Sequence, residues 1–197
     1  MARIKPVDAI AAMAAMSRPD IGQGDRINLG VAGIISHQPE VAAALGAMTA
    51  ALRDSGALPP RLMELVRLRI AFHNQCRSCM SIRYQSAIDD GLTEEAVCSL
   101  ERPSEATDLT EAERSALKFA DLFATNHLAI DDAVYNELRS YFGEDQLVAL
   151  GLHCAFCVGI GRLTATWHVV EDLPSGMSAQ SDSPLAPWLA ESVVASG

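Results

Sequence analysis

Cys76-Arg-Ser-Cys79 sets two thiols one helical turn apart, a spacing that allows a reversible disulfide. Between Arg61 and Arg83 the cations are Arg61, Arg67, Arg69, Arg77 and Arg83, and Glu64 is the only carboxylate. Thiolate is the reactive form of cysteine. Nearby cations and a helix N-terminus stabilise it, so this setting should bring a thiol below its free pKa of roughly 8.5. Polar neighbours at both ends (Asn74, Gln75, Arg77, Ser78) argue against two buried core cysteines. The residues alone divide the roles: the helix terminus favours Cys76 as the activated thiol, while Arg83, four residues after Cys79, favours Cys79.

Glu64 shares a helical face with Leu68 and Ala71, where desolvation could raise its pKa until it serves as a base. Spacing alone favours the plainer role of surface partner to Arg67 or Arg69. Arg83 cannot accept a proton, so it can stabilise a thiolate or bind an anion but cannot relay. His73, three residues before Cys76, is a candidate relay, although a His at a helix C-terminus is more often a stabilising charge; His127, His153 and His168 have no motif around them and read as structural. A second pair, Cys154-Ala-Phe-Cys157, lies in the apolar run Leu147 to Ile160, where thiols are buried and inert. The 74 residues between the pairs, without Gly-rich knuckles, count against a four-cysteine zinc site, and Cys98 reads as an ordinary helix residue.

The rest of the chain must position this pair. Its 197 residues, 49% hydrophobic and 20% charged, suit one globular domain with a tail. A net charge of −10 counts against nucleic acid as a partner. Five cysteines, an odd number, fit a reducing cytoplasm better than a secreted disulfide framework. Gln146 to Gly161, the longest uncharged stretch, is shorter than the roughly 20 residues that span a bilayer, so no membrane segment is expected. With aromatics at 5% and no alternating strand pattern, the fold class is all-α.

Helices are expected over Val7 to Met16, Ile27 to Ser36, Val41 to Arg53 (with Pro39 at its start) and Arg61 to Gln75. Cys76 to Asp90 reads as one helix, with the cysteines at its N-terminus and Gly91 past its end. Thr93 caps a short helix, Thr110 and Glu113 have capping-box spacing, Asp131 caps a helix to Phe142, and Glu144 opens a long final helix. Residues 1–26 form an extension, 27–170 the domain, and 171–197 a Ser/Ala/Pro-rich tail. Its apolar patch Pro187-Trp188-Leu189 suits packing on a neighbour. The apolar content predicts a homo-oligomer.

Leu58-Pro-Pro-Arg-Leu-Met-Glu64, Asn74-Gln-Cys76-Arg-Ser-Cys79 and Gly91-Leu-Thr-Glu-Glu resemble the core of the alkylhydroperoxidase D-like, carboxymuconolactone decarboxylase superfamily. That pattern sets a Glu twelve residues before the pair, as Glu64 stands to Cys76, and the likeness extends over Ile27 to Val170. The resemblance implies an all-helical trimer or hexamer that reduces hydroperoxides or disulfides. Cys79 would attack and become a sulfenic acid, Cys76 would resolve it, Glu64 would act as base, and an external dithiol would restore the pair. No organic cofactor or metal is implied. Peroxidases of the family carry a His four residues after the second Cys, where this chain has Arg83. Lactone decarboxylation, which uses no cysteine pair, and a non-catalytic redox sensor or scaffold are the alternatives.

Overall fold

The structure, a computed structural model, describes residues 1–7, 21–178, 184–189 and 191–196; the expected Val7 to Met16 helix lies, beyond Val7, outside them. The first described helices are α1 (Gln23–Ile35), α2 (Pro39–Asp54) and α3 (Pro60–Asn74). After these come α4 (Arg77–Ser81), the three-residue strand β1 (Ile82–Tyr84), α5 (Gln85–Asp89) and α6 (Glu94–Cys98). The chain closes with α7 (Glu111–Thr125), α8 (Asp132–Arg139), α9 (Glu144–Trp167), α10 (Ser175–Ser178) and β2 (Val193–Ala195). The fold class is all-α, with one small parallel pairing of β1 and β2.

The end signals act as the sequence reading expects. Thr110 and Glu113 form a reciprocal capping box on α7, and Thr93 and Asp131 cap α6 and α8 with side-chain oxygens. Proline occupies the first turn of both α2 and α3. Gly91 ends α5 at φ 85°, a left-handed geometry that costs glycine nothing.

Helix α3 is the centre of the molecule, packed against α9 and α7. Leu65, Val66, Leu68 and Ile70 are fully buried, so the apolar surface runs around the helix rather than along one stripe. Each such side chain contributes about 1.5–3 kcal/mol of burial at most. Asn74 ties the helix end to α9, donating to Cys157 O at 2.9 Å and accepting from Arg162 at 3.1 Å. Gly161 makes room for it: a Cβ there would lie 2.6 Å from Asn74 Nδ2. Helix α9 has a mean hydropathy of 1.7 and, by length and composition alone, could cross a membrane. Its buried side is instead the partner of α3 in the core.

Two expectations need correction. Cys76 to Asp90 is two short helices separated by β1, because Ile82 leaves the helix (φ −98°, ψ 143°) to pair with Val193 of the tail. The tail itself packs on its own chain. Trp188 stacks on Phe72 at 4.8 Å, and Gly24 admits the Val194 carbonyl where a Cβ would lie 2.4 Å from its oxygen. Helix α1 begins at Gln23, four residues before the expected helix start at Ile27.

Arg83 fastens this corner. Its buried guanidinium donates to Met80 O (2.8 Å), Ile82 O (3.1 Å) and Pro187 O (2.8 Å), and pairs with Glu94 at 3.0 Å. Arg83→Met leaves those carbonyls without their donor and should cost on the order of 3 kcal/mol in denaturant unfolding. Glu94→Gln, at a half-exposed carboxylate, should cost under about 1 kcal/mol. Equal losses in the two variants would contradict this account of Arg83.

Candidate functional site

Helix α3 stops because Gln75 turns left-handed (φ 50°), which swings Cys76 into the N-cap position of α4. There Cys76 Sγ accepts the Cys79 backbone N–H at 3.4 Å, and the two sulfurs are joined as a disulfide. The polar flanks do not keep both thiols near solvent. Cys76 is fully buried, while Cys79 is only partly covered. Gln75 is drawn to the tail, where its side chain exchanges two hydrogen bonds with the Leu185 backbone (2.9 and 3.0 Å).

Beside the pair, Glu64 is buried and is also ion-paired, so neither the solvated partner nor the isolated desolvated acid describes it. Arg67, one turn on, donates to both its oxygens at 2.6 and 2.7 Å, and the Tyr84 backbone N–H adds a third bond at 3.2 Å. The same guanidinium donates to Cys79 O at 2.6 Å and Ile82 O at 2.8 Å, and it lies 5.0 Å from the Tyr84 ring centroid. Burial disfavours its charge, but Glu64 more than offsets this and holds the Arg67 pKa above the ordinary arginine value.

Cys79 lines a cavity of about 900 Å³ between the α1–α2 arm and the α3–α9 core; Cys76 is not in its wall. Most of the wall is apolar, including Ile27, Val31, Leu45, Leu58, Phe156 and Ile160. Its ionisable groups near the core, besides Cys79, are Glu64, Arg67, Tyr84, His153 and Cys157. Burial lifts the Tyr84 pKa and pushes the Cys157 thiol up to about 12, while it lowers the pKa of His153 and so keeps that imidazole neutral at pH 7.

The structure therefore brings Cys79, Cys76 and Glu64 together and sends the other two expected residues elsewhere. Arg83 is not one turn from Cys79 on a shared helix; it stands on β1, turned toward Glu94 and the tail, outside the cavity wall. His73 bonds Asp121 at 2.7 Å on the α7 side of α3, where Arg69 pairs with the same carboxylate at 2.6 Å. The arginine that reaches the pair is Arg67, through the Cys79 backbone carbonyl. Its i, i+3 spacing from Glu64 was visible, but its reach to the Cys79 carbonyl was not. His153 was also missed as a site residue. Its only sequence signal is a polar residue inside an apolar run, four residues before Cys157.

Fold and site define an all-α protein with a disulfide-bonded cysteine pair, one member of which, Cys79, lines an apolar cavity. Residues 39–122 match the model of the carboxymuconolactone decarboxylase family. Two uncharacterized proteins of Mycobacterium tuberculosis are each 42% identical to it over 96 residues, which is 48% of this chain. The match spans 33% of each relative, so the chain corresponds to about a third of their length. A crystal structure of the debrominase Bmp8, a Cys-to-Ala variant in complex with 2,3,4-tribromopyrrole, superposes with a TM-score of 0.64 at 18% identity. The alignment covers 95% of this chain and 94% of that one and shows a shared fold.

The thiols should differ sharply in reactivity. In reduced protein at pH 8, iodoacetamide should label Cys79 and the exposed Cys98 and leave Cys157 and Cys154 unmodified, since burial raises both of the latter pKa values. Cys157 labelling should rise only as pH approaches 12, where its thiolate forms, or on unfolding. Mass spectrometry of the native protein reads this, and native labelling of Cys157 at pH 8 would contradict the site geometry.

Proposed function

We propose that this chain is a thiol-dependent reductase of organic hydroperoxides. One observation carries the reading: Cys79 faces a large apolar cavity while its partner Cys76 lies buried directly behind it. In the cycle, Cys79 thiolate attacks the terminal peroxide oxygen, the O–O bond breaks, and the alcohol leaves with one proton. Cys79 is left as a sulfenic acid. Cys76 then attacks that sulfur and expels water, forming the Cys76–Cys79 disulfide, and an external dithiol supplies the two electrons that reopen it. The reaction needs no metal or organic cofactor, and a reducing cytoplasm would supply the dithiol. Lactone decarboxylation, which uses no cysteine pair, is disfavoured by the joined Cys76 and Cys79.

The fold shared with the debrominase raises a second use of the same dithiol, reductive removal of bromine from a small aromatic ring, for which the apolar cavity has room. Product analysis separates the two. Peroxide turnover yields an alcohol, and debromination yields bromide.

Peroxide treatment of Cys76→Ser should trap a sulfenic acid at Cys79, Cys79→Ser should stay unreacted, and Cys154→Ser should cycle normally. A sulfenate at Cys76 in the Cys79→Ser protein would reverse the assignment. A homo-oligomer, trimer or hexamer, is also proposed. Val148, Leu152 and Leu163 stand exposed along α9, and α2 contains no fully buried residue despite its apolar sequence. Light scattering at micromolar concentration should give a mass several times 21.0 kDa, and a monomer would defeat the proposal.

A further inference from the structure

Splitting a peroxide bond leaves an alkoxide that must be protonated, and the attacking thiol must first lose a proton. Resting on the peroxidase reading, the question is which group in the cavity moves that proton when position 83 is an arginine turned away. The titratable and charged groups facing this part of the cavity are Glu64 and Arg67 on α3, Cys79 on α4, Tyr84 on β1, and His153 and Cys157 on α9, with Cys154 buried beneath. Arg67 does not release a proton. Both oxygens of Glu64 are occupied, by Arg67 and the Tyr84 N–H. Tyr84 and Cys157 hold their protons at neutral pH, since burial raises both.

His153 is left, and its geometry suits the task. It is buried in α9 with Nε2 2.8 Å from Met63 O, a carbonyl that can only accept, so Nε2 carries the hydrogen. The neutral ring then has Nδ1 as its basic nitrogen. Cys157 Sγ sits 3.7 Å from Nε2, and the ring forms part of the same wall as Cys79. The bond to Met63 fixes the tautomer and holds the ring on the cavity.

We propose that His153 is the proton-exchanging residue of this site, taking the Cys79 thiol proton on Nδ1 and returning it to the departing alkoxide. The balance is one thiol and one hydroperoxide giving one sulfenic acid and one alcohol. The Cys79 S–H and the O–O bond break, an S–O bond forms, and the proton passes through His153 to the alcohol. The resolving step releases water without a further oxidant, and the external dithiol closes the cycle.

Two reagents test this in a Cys76→Ser background. Loss of iodide from iodoacetamide needs no proton, whereas loss of alkoxide from cumene hydroperoxide does. His153→Gln keeps a donor for Met63 O but has no base. Sulfenate formation at pH 7 should fall about 10²-fold. Alkylation at pH 9.5, where thiolate is abundant, should stay within about twofold. The wild-type peroxide rate should also fall as His153 protonates, at a pH below the ordinary histidine value of roughly 6.5 because burial disfavours the charged ring, and the variant should lack that limb. Nitrogen-15 NMR of the unsubstituted protein gives a reading that does not depend on the variant folding: at pH 7, His153 should show a protonated Nε2 and a bare Nδ1. An equal peroxide rate in His153→Gln, or a hydrogen on Nδ1, overturns the proposal and leaves the peroxidase reading standing. A parent protein no faster with cumene hydroperoxide than a free thiol removes both.

Discussion

The Arg67 guanidinium is the constraint on which the site depends. From one position on α3 it binds both oxygens of Glu64, the Cys79 carbonyl at the redox helix and the Ile82 carbonyl where that helix gives way to β1. A charge so deeply placed is tolerable only because Glu64 neutralises it and its donors find acceptors, and removing one member of such a pair costs about 3–5 kcal/mol. What the arrangement secures is position. The cysteine pair is held against the central helix, with one sulfur toward the cavity and the other away from it.

That orientation divides the labour in the proposed cycle. A nucleophile must be met by substrate, and of the pair only Cys79 is in the cavity wall; a resolving thiol must be close and protected, and Cys76 caps the same helix one turn earlier, buried. A nearby resolving thiol captures a sulfenic acid before a second peroxide can oxidise it irreversibly. The Glu64–Arg67 pair adds no net charge to the cavity, so its walls favour an uncharged apolar body. The tail holds Gln75 just before the pair and Arg83 just after it, both by tail carbonyls.

Local signals were legible in the sequence: the helical class, the capping residues Thr93, Thr110 and Asp131, the proline starts, and the separation of Glu64 from Cys76. Each depends on residues a few positions apart. What was not legible depends on distant partners. Ile82 leaves its helix for a strand over a hundred residues further on, and Arg83 follows it out of reach of Cys79. The burial of Cys76 overrode its polar flanks. His153 looked structural because the carbonyl that orients it belongs to Met63, 90 residues earlier. Arg67 was named only as a possible partner for Glu64, since helical spacing shows neighbours on one helix and not the backbone of the next.

The central claim, that substrate reaches Cys79 through an apolar cavity, is tested most directly by single-turnover kinetics of the reduced protein. Hydrogen peroxide, tert-butyl hydroperoxide, cumene hydroperoxide and a long-chain fatty-acyl hydroperoxide form a series of growing apolar bulk. The account predicts second-order rate constants that climb along the series by at least tenfold, as cavity contacts lower the barrier. Rates that are equal, or that fall with size, would contradict it.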